Sequence, residues 1–164
     1  MPIHYVPITE HQERVEQFMK AAGQELPTTP TLPEFYIRKL RARLIIEETL
    51  ETVQALGFAL YTPEGLIINK DTLNLQEEYT ADLEEIIDGC CDISVVTIGT
   101  LSACGVPDQP FLEEVDKNNL AKFGPGGYRR EDGKWVKPPN HKPPAIAEVL
   151  QDVKDTLQGL KDTK

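Results

Sequence analysis

Apolar residues recur at helical spacing along most of this chain, and glycine or proline bounds the segments that carry them. Residues 9–22 show the pattern: Val15 and Phe18 share one stripe, Thr9 is a candidate N-cap and Gly23 a candidate stop. Apolar residues three and four positions apart lie on one face of an α-helix, whereas a half-buried strand needs strict alternation. The pattern therefore predicts an all-α fold.

The same spacing predicts four more helices. They cover 33–56, a stretch that starts between 71 and 80 and ends at 104, 110–123, and 145–160. Turn residues predict a β-ribbon that pairs 128–130 with 134–137, and either a small hairpin or an ordered loop that contains 58–61 and 66–68. This order of elements predicts a four-helix-type bundle with small β decorations and a C-terminal helix.

A length of 164 residues fits one domain with its own core. We expect a single domain over residues 1–164, with its core at about 12–123. A basic arm rich in glycine and proline follows at 124–144, and an amphipathic helix at 145–160 closes the chain.

The charge balance limits the partners. There are 17 Lys and Arg residues against 27 Asp and Glu, which gives a net charge of −10, and such a chain is repelled by duplex DNA and anionic membranes. The longest uncharged stretch, 93–107, is shorter than a membrane span, and no signal peptide precedes the first helix. We expect a cytoplasmic protein whose cysteines, at 90, 91 and 104, are reduced thiols in the core.

Three glutamates of the second helix fall inside its apolar arc. At about 100° per residue, and with Leu40 at zero, Glu47 lies at roughly −20° and Glu51 at roughly 20°. Glu48 lies at roughly 80° on the same scale. The charges of a simple amphipathic helix take the opposite face. Burying unpaired carboxylates is costly, so something positive should face these three side chains.

The third helix repeats this anomaly. Asp88 and Asp92 share a face with Val96, and Asp92 directly precedes residues 93–104, twelve positions without a charge. We expect that stretch to be among the most buried in the protein. Residues 77–92 hold seven acids and no base, so no local ion pair can neutralise the face.

Carboxylates that two helices present from apolar stripes suit hard divalent cations. Mg²⁺ prefers oxygen ligands and commonly binds a few carboxylates together with substrate phosphates, and Mn²⁺ accepts the same donors. Neither cluster contains histidine, which argues against zinc, iron and the Glu-x-x-His pairs of di-iron bundles. The simpler alternative is that each cluster lies on a solvated helix face. Because both helices place carboxylates within their apolar stripes, the pattern favours a metal site.

Basic residues concentrate in two places. Residues 38–43 hold four of the 17, and residues 117–142 hold seven. The second group can neutralise a polyphosphate that arrives with Mg²⁺, and Asn119 and Lys122 stand there beside a Gly-Pro-Gly-Gly loop whose N–H groups can reach phosphate. On spacing alone, Lys122 is more simply a solvated surface lysine.

Four motifs, in this order, resemble the all-α nucleoside triphosphate pyrophosphohydrolase superfamily, which includes MazG-type proteins, dimeric dUTPases and phosphoribosyl-ATP pyrophosphohydrolases. They are Glu-Glu-x-x-Glu at 47–51, Asp-x-x-x-Asp at 88–92, Val-x-x-x-Asn-x-x-Lys at 115–122, and a Asp-Gly-Lys…Lys-Pro-Pro…Pro-Pro tail at 132–144. The likeness covers about residues 12–146 and is nearest to the phosphoribosyl-ATP branch. Glu85 and Asp88 also form the Glu-x-x-Asp of MazG proteins. Which of Glu85, Asp88 and Asp92 bind metal directly stays open, with the two aspartates favoured.

The resemblance implies a MazG-like bundle that hydrolyses a nucleotide between its α- and β-phosphates, with Mg²⁺ as cofactor and Mn²⁺ as an alternative. It implies catalytic roles for Glu47 and Glu48, with Glu47 as a ligand or as the base that orients water. The implied metal ligands are Glu47, Glu48, Glu51, Asp88 and Asp92, and the implied substrate contacts are Asn119, Lys122 and Lys134. It also implies a homodimer or homotetramer.

Two other functions remain open at this point. One is a non-catalytic nucleotide-binding or helical adaptor module of the same fold, and the other is a metal-loaded redox bundle. The preferred nucleotide is also open, among dUTP, dCTP, oxidised nucleotides and phosphoribosyl-ATP.

Overall fold

A computed structural model of the chain describes residues 8–130 and 135–162, with side chains to residue 160. Within these residues the chain forms five helices and two antiparallel β-ribbons. The helices are α1 (Glu10–Ala21), α2 (Phe35–Ala55), α3 (Leu83–Ala103), α4 (Gln109–Ala121) and α5 (Ile146–Asp162). The strands are β1 (Leu60–Tyr61), β2 (Ile67–Ile68), β3 (Tyr128–Arg129) and β4 (Trp135–Val136). Leu60 lies opposite Ile68, and Tyr128 lies opposite Val136. The prediction of an all-α fold is confirmed.

Backbone contacts divide the chain into two compact units, one of Met1–Thr29 with Gly89–Lys164 and one of Pro30–Asp88. In the first unit, α1 packs against α4, and α4 packs against α5. As predicted, Thr9 caps α1: its side chain accepts a hydrogen bond from the backbone N–H of Gln12 at 3.1 Å, which satisfies one of the free N–H groups of the first turn.

Aromatic side chains join α1, the end of α4 and strand β4. The ring centroids of Phe18 and Phe123 are 5.3 Å apart, and those of Phe123 and Trp135 are 4.8 Å apart. The indole N–H of Trp135 donates to the backbone oxygen of Lys122 at 2.7 Å. Gly127 leaves room for this bond, since a Cβ there would lie 2.8 Å from both bonded atoms. The β3–β4 ribbon is thereby fixed to the end of α4.

In the second unit, α2 is followed by the β1–β2 ribbon. Gly57 lies just beyond the end of α2 with a φ of +91°, a conformation that an L side chain rarely adopts. Within this unit, the described residues pack no other helix against α2.

Helix α3 begins later than the sequence predicted. Residues 71–82 are not helical, and the helix starts at Leu83. The side chain of Asp82 accepts a hydrogen bond from the backbone N–H of Glu84 at 2.8 Å. An aspartate that bonds the backbone two residues on favours a helix start rather than a helix interior, which explains the shift.

The burial expected for α3 is wrong for the single chain. Residues 84–99 are exposed except for Gly89, and the exposed fractions of Val95 and Val96 are 70% and 65%. All three cysteines are exposed free thiols, so their expected place in a core is wrong as well. Burial needs a partner surface, and within the first unit the described residues pack no helix against 89–103.

Helix α3 also satisfies the length and composition of a membrane span. It has 21 residues and a mean hydropathy of 1.5 over its most apolar 18-residue window, and it is the one such helix among the described residues. The uncharged stretch 93–107 is shorter than a membrane span, and α3 reaches that length because it also includes acidic residues before position 93. Core helices of soluble proteins pass the same test, so the observation is weak evidence for a membrane.

Candidate active site

Glu47 is paired within its own helix. Arg43, one turn earlier on α2, places its Nε 2.7 Å from Oε1 of Glu47, and the glutamate side chain is 20% exposed. The position of this acid in the apolar arc predicted a nearby positive group but did not identify it as Arg43. The i, i+4 spacing of the two residues was the available signal.

Glu51 is paired with a residue from the β-ribbon. Its Oε1 lies 3.7 Å from Nζ of Lys70, and both side chains are more than half exposed. An exposed ion pair of this length contributes little to stability, because solvent screens it. Lys70 could not be inferred from helical spacing, since the fold of the ribbon brings it to α2.

Glu48 on α2, and Asp88 and Asp92 on α3, are exposed, and the described residues form no ion pair with any of them. The two aspartates are one turn apart on one face of α3. Glu85 is exposed on the same helix. Three of the five predicted ligands therefore carry charges that no described side chain compensates.

In the described ranges, no group of three or more His, Cys, Asp or Glu side chains lies close enough to hold a metal ion. The donor chemistry nevertheless fits a hard cation, because all five predicted ligands are carboxylates and none is a nitrogen or sulfur donor. The set therefore fits Mg²⁺ in its chemistry.

Asn119 and Lys122 lie together at the end of α4. Nζ of Lys122 donates to Oδ1 of Asn119 at 2.6 Å and lies 5.9 Å from the centroid of the Phe18 ring. Both side chains are half-buried, so Lys122 is not the freely solvated lysine that spacing alone suggested. Lys134, the third predicted substrate contact, lies outside the described residues.

Burial changes one cation of α2. Arg41 is half-buried, and desolvation lowers the pKa of its guanidinium from its usual value. An arginine remains charged at neutral pH even so. The basic stretch before Glu47 therefore keeps its charge in the fold.

An all-α fold with carboxylates on two helices is the architecture expected of MazG-like nucleotide pyrophosphohydrolases, and comparison with known proteins agrees. The family model of phosphoribosyl-ATP pyrophosphohydrolase matches residues 14–119, which include all five predicted metal ligands and Asn119. The chain belongs to this family, within the MazG-like pyrophosphohydrolase superfamily.

Among solved structures, the chain is similar to a candidate NTP pyrophosphohydrolase from Exiguobacterium sp. 255-15. The two share 19% sequence identity with a TM-score of 0.63, over 96% of this chain and 100% of the other. This likeness supports the fold. No curated protein matches the chain.

Family membership defines the general activity. The chain is a nucleotide pyrophosphohydrolase, a hydrolase that acts on a phosphoanhydride bond. The family also favours a soluble protein over a membrane-spanning one.

Proposed function

We propose that this protein hydrolyses a nucleoside triphosphate, or a related nucleotide, between its α- and β-phosphates and releases a monophosphate and pyrophosphate. The observation that carries the proposal is the position of Glu-Glu-x-x-Glu (47–51) and Asp-x-x-x-Asp (88–92) inside the family match at 14–119. The reaction needs positioning and charge stabilisation more than covalent chemistry, and carboxylates with divalent cations supply both.

The proposed cofactor is Mg²⁺, with Mn²⁺ as an alternative. Such a cation would supply electrostatic stabilisation of the negative charge on the phosphate oxygens. Glu48, Glu51, Asp88 and Asp92 would hold it, and Glu47 would either join them or accept a proton from the attacking water. Arg43 holds one oxygen of Glu47 at 2.7 Å, which orients the carboxylate for that second role.

Asn119 and Lys122 are the proposed contacts to substrate in the described part of the chain. The ammonium of Lys122 already bonds Asn119, so the two side chains present one polar group with a net positive charge. Lys134 is a third proposed contact. A cation at this position favours an anionic phosphate over an uncharged sugar.

The proposed active form is a homodimer or homotetramer in the cytoplasm. The exposed apolar face of α3 supports assembly, because covering Val95 and Val96 removes a large apolar surface from water. A second copy of the chain is the proposed partner at this face.

The test is pyrophosphate release from a panel of nucleotides with Mg²⁺, comparing the parent with Glu48→Gln. We expect the variant to fold and to lose at least about 100-fold in turnover, because a lost ligand to the proposed cation removes charge stabilisation from the transition state. Glu34→Gln is the matched control, because Glu34 is an exposed residue at the start of the same helix and makes no side-chain capping bond. Turnover by Glu48→Gln at the parent's rate would contradict the proposal.

A binding module without turnover is the second candidate. It is favoured by one observation: Arg43 and Lys70 already compensate Glu47 and Glu51, so these acids do not require a metal. Such a protein would bind the nucleotides of the same panel and release no pyrophosphate from any of them.

A further inference from the structure

A cleft lies between the second half of α2 and the β1–β2 ribbon, wholly within the unit Pro30–Asp88. Its volume is about 360 Å³, within the range of small-molecule sites. Apolar side chains form most of its wall, among them Val53, Phe58, Leu60 and Ile67. One end of the cleft is lined by Glu51 and Lys70, the pair described above.

Phe58 is the aromatic wall of the cleft. The residue is 70% exposed, although a phenyl ring gains free energy when it leaves water. A flat aromatic heterocycle that stacks on an exposed ring covers both surfaces at once, and such stacking tolerates any base. The cleft thus offers a planar apolar surface that no described side chain covers.

Gln54 brings a polar group to the same wall. Its side chain is exposed, and the amide carries one acceptor and two donor hydrogens. The edge of a nucleobase presents donors and acceptors side by side, which a single amide can match. An apolar cleft with one such amide is suited to a nucleobase.

The loop that carries Lys70 is held in place. Oδ1 of Asn69 accepts hydrogen bonds from the backbone N–H groups of Asp71 at 2.9 Å and Thr72 at 3.2 Å. These bonds fix the backbone of the turn on both sides of Lys70, whose Nζ lies 3.7 Å from Oε1 of Glu51. A cation is therefore available where the apolar part of the cleft meets a proposed metal ligand.

We propose that this cleft binds the nucleoside part of the substrate, with the base against Phe58 and Gln54 and the phosphates leading out past Lys70 towards Glu51. The proposal rests on the proposed function, and it adds the subsite in which the base is selected. Glu51 links the two, because it lines the cleft and belongs to the proposed metal set.

The experiment compares three variants in nucleotide hydrolysis, with kcat and KM measured separately. For Phe58→Ala we expect KM to rise about tenfold with kcat nearly unchanged, as loss of base stacking does. For Gln54→Leu we expect the order of preference among nucleotides to change. Tyr61→Ala is the matched control: Tyr61 is an aromatic residue of β1, 62% exposed, and does not line the cleft. It should behave as the parent does.

Binding of nucleoside monophosphates is measured beside turnover, by the change in backbone NMR signals of residues 50–71. This readout separates failure of the cleft from failure of the proposed hydrolysis. One outcome is a parent protein that releases no pyrophosphate and still shows shifts at 50–71 with a monophosphate that are absent in Phe58→Ala. That result would support the subsite and contradict the proposed hydrolysis. Signals that do not shift, or a Phe58→Ala variant with the parent's KM for every nucleotide, overturn the subsite. If a second copy of the chain covered the cleft, Phe58→Ala would keep the parent's KM for every nucleotide.

Discussion

Nδ1 of His11 lies 2.8 Å from Oδ2 of Asp116, although 105 residues separate the two in sequence. Nε of Arg14 donates to the same oxygen at 2.7 Å. The aspartate side chain is 3% exposed, and together with Ala22 it forms the small set of buried residues in the described chain. The hydrogen bond to Asp116 raises the pKa of Arg14. One carboxylate therefore fastens α1 to α4.

Replacing this carboxylate should weaken the first unit. For Asp116→Asn we expect the free energy of unfolding to fall by about 2 kcal/mol, because two side chains lose a charged hydrogen-bond acceptor. The measurement is the urea midpoint. Asp108→Asn is the control, since Asp108 is exposed and makes no side-chain capping bond. Its free energy of unfolding should change by no more than about 0.5 kcal/mol. Equal midpoints for the parent and Asp116→Asn would contradict the proposed role of the carboxylate.

The contact between Gly127 and Trp135 gives a second prediction. A methyl group at position 127 would lie 2.8 Å from both the backbone oxygen of Lys122 and Nε1 of Trp135. Gly127→Ala should therefore destabilise the protein by about 1–3 kcal/mol, as overpacking does. Gly159→Ala is the matched change in α5, where a Cβ meets no atom within 4 Å. There we expect a gain of about 1 kcal/mol or less. Thermal unfolding of both variants measures the two changes in stability. Equal stabilities for the two variants would show that the ribbon does not pack against the end of α4.

Magnesium should stabilise the folded protein. The uncompensated charges of Glu48, Asp88 and Asp92 repel like charges, and a cation that binds them only in the folded state shifts the equilibrium. At a Mg²⁺ concentration 100 times its Kd, the expected gain is about 2.7 kcal/mol. Differential scanning fluorimetry with Mg²⁺ and then with a chelator measures it. The gain should vanish in Asp92→Asn. If Mg²⁺ does not change the melting temperature of the parent, the metal site is contradicted, even if the protein hydrolyses nucleotides.

The apolar face of α3 should determine the oligomeric state. We expect light scattering to give the parent a mass of at least twice the 18.4 kDa of one chain. Val96→Lys should lower that mass, because a charge at a buried interface is costly. Leu66→Lys is the control: it adds the same charge at a position that is 67% exposed in the β1–β2 turn. A parent of 18.4 kDa, or an unchanged mass for Val96→Lys, would show that α3 is not the interface.

The helices were predictable because their signals are local. Thr9 and Gly57 act within one turn of the helix ends that they mark, and the apolar period extends over several turns. The start of α3 was missed because Asp82, a capping residue, was counted inside a longer periodic stretch.

Burial and charge pairing were predictable only in part. Helical spacing places Val96 and Asp92 on one face, but burial of this face would need a surface outside the helix, which the spacing does not specify. The pairing of Glu47 with Arg43 follows from i, i+4 spacing, whereas the pairing of Glu51 with Lys70 depends on the fold of a ribbon. Long-range contacts of this kind carry no periodic signal in a single sequence.

Trp135 is the chain's single tryptophan, and its indole N–H is bonded to the last turn of α4, which holds Asn119 and Lys122. An indole shifts its emission to longer wavelength when water replaces such an environment. The wavelength of tryptophan emission would therefore report any loosening of the α4 terminus.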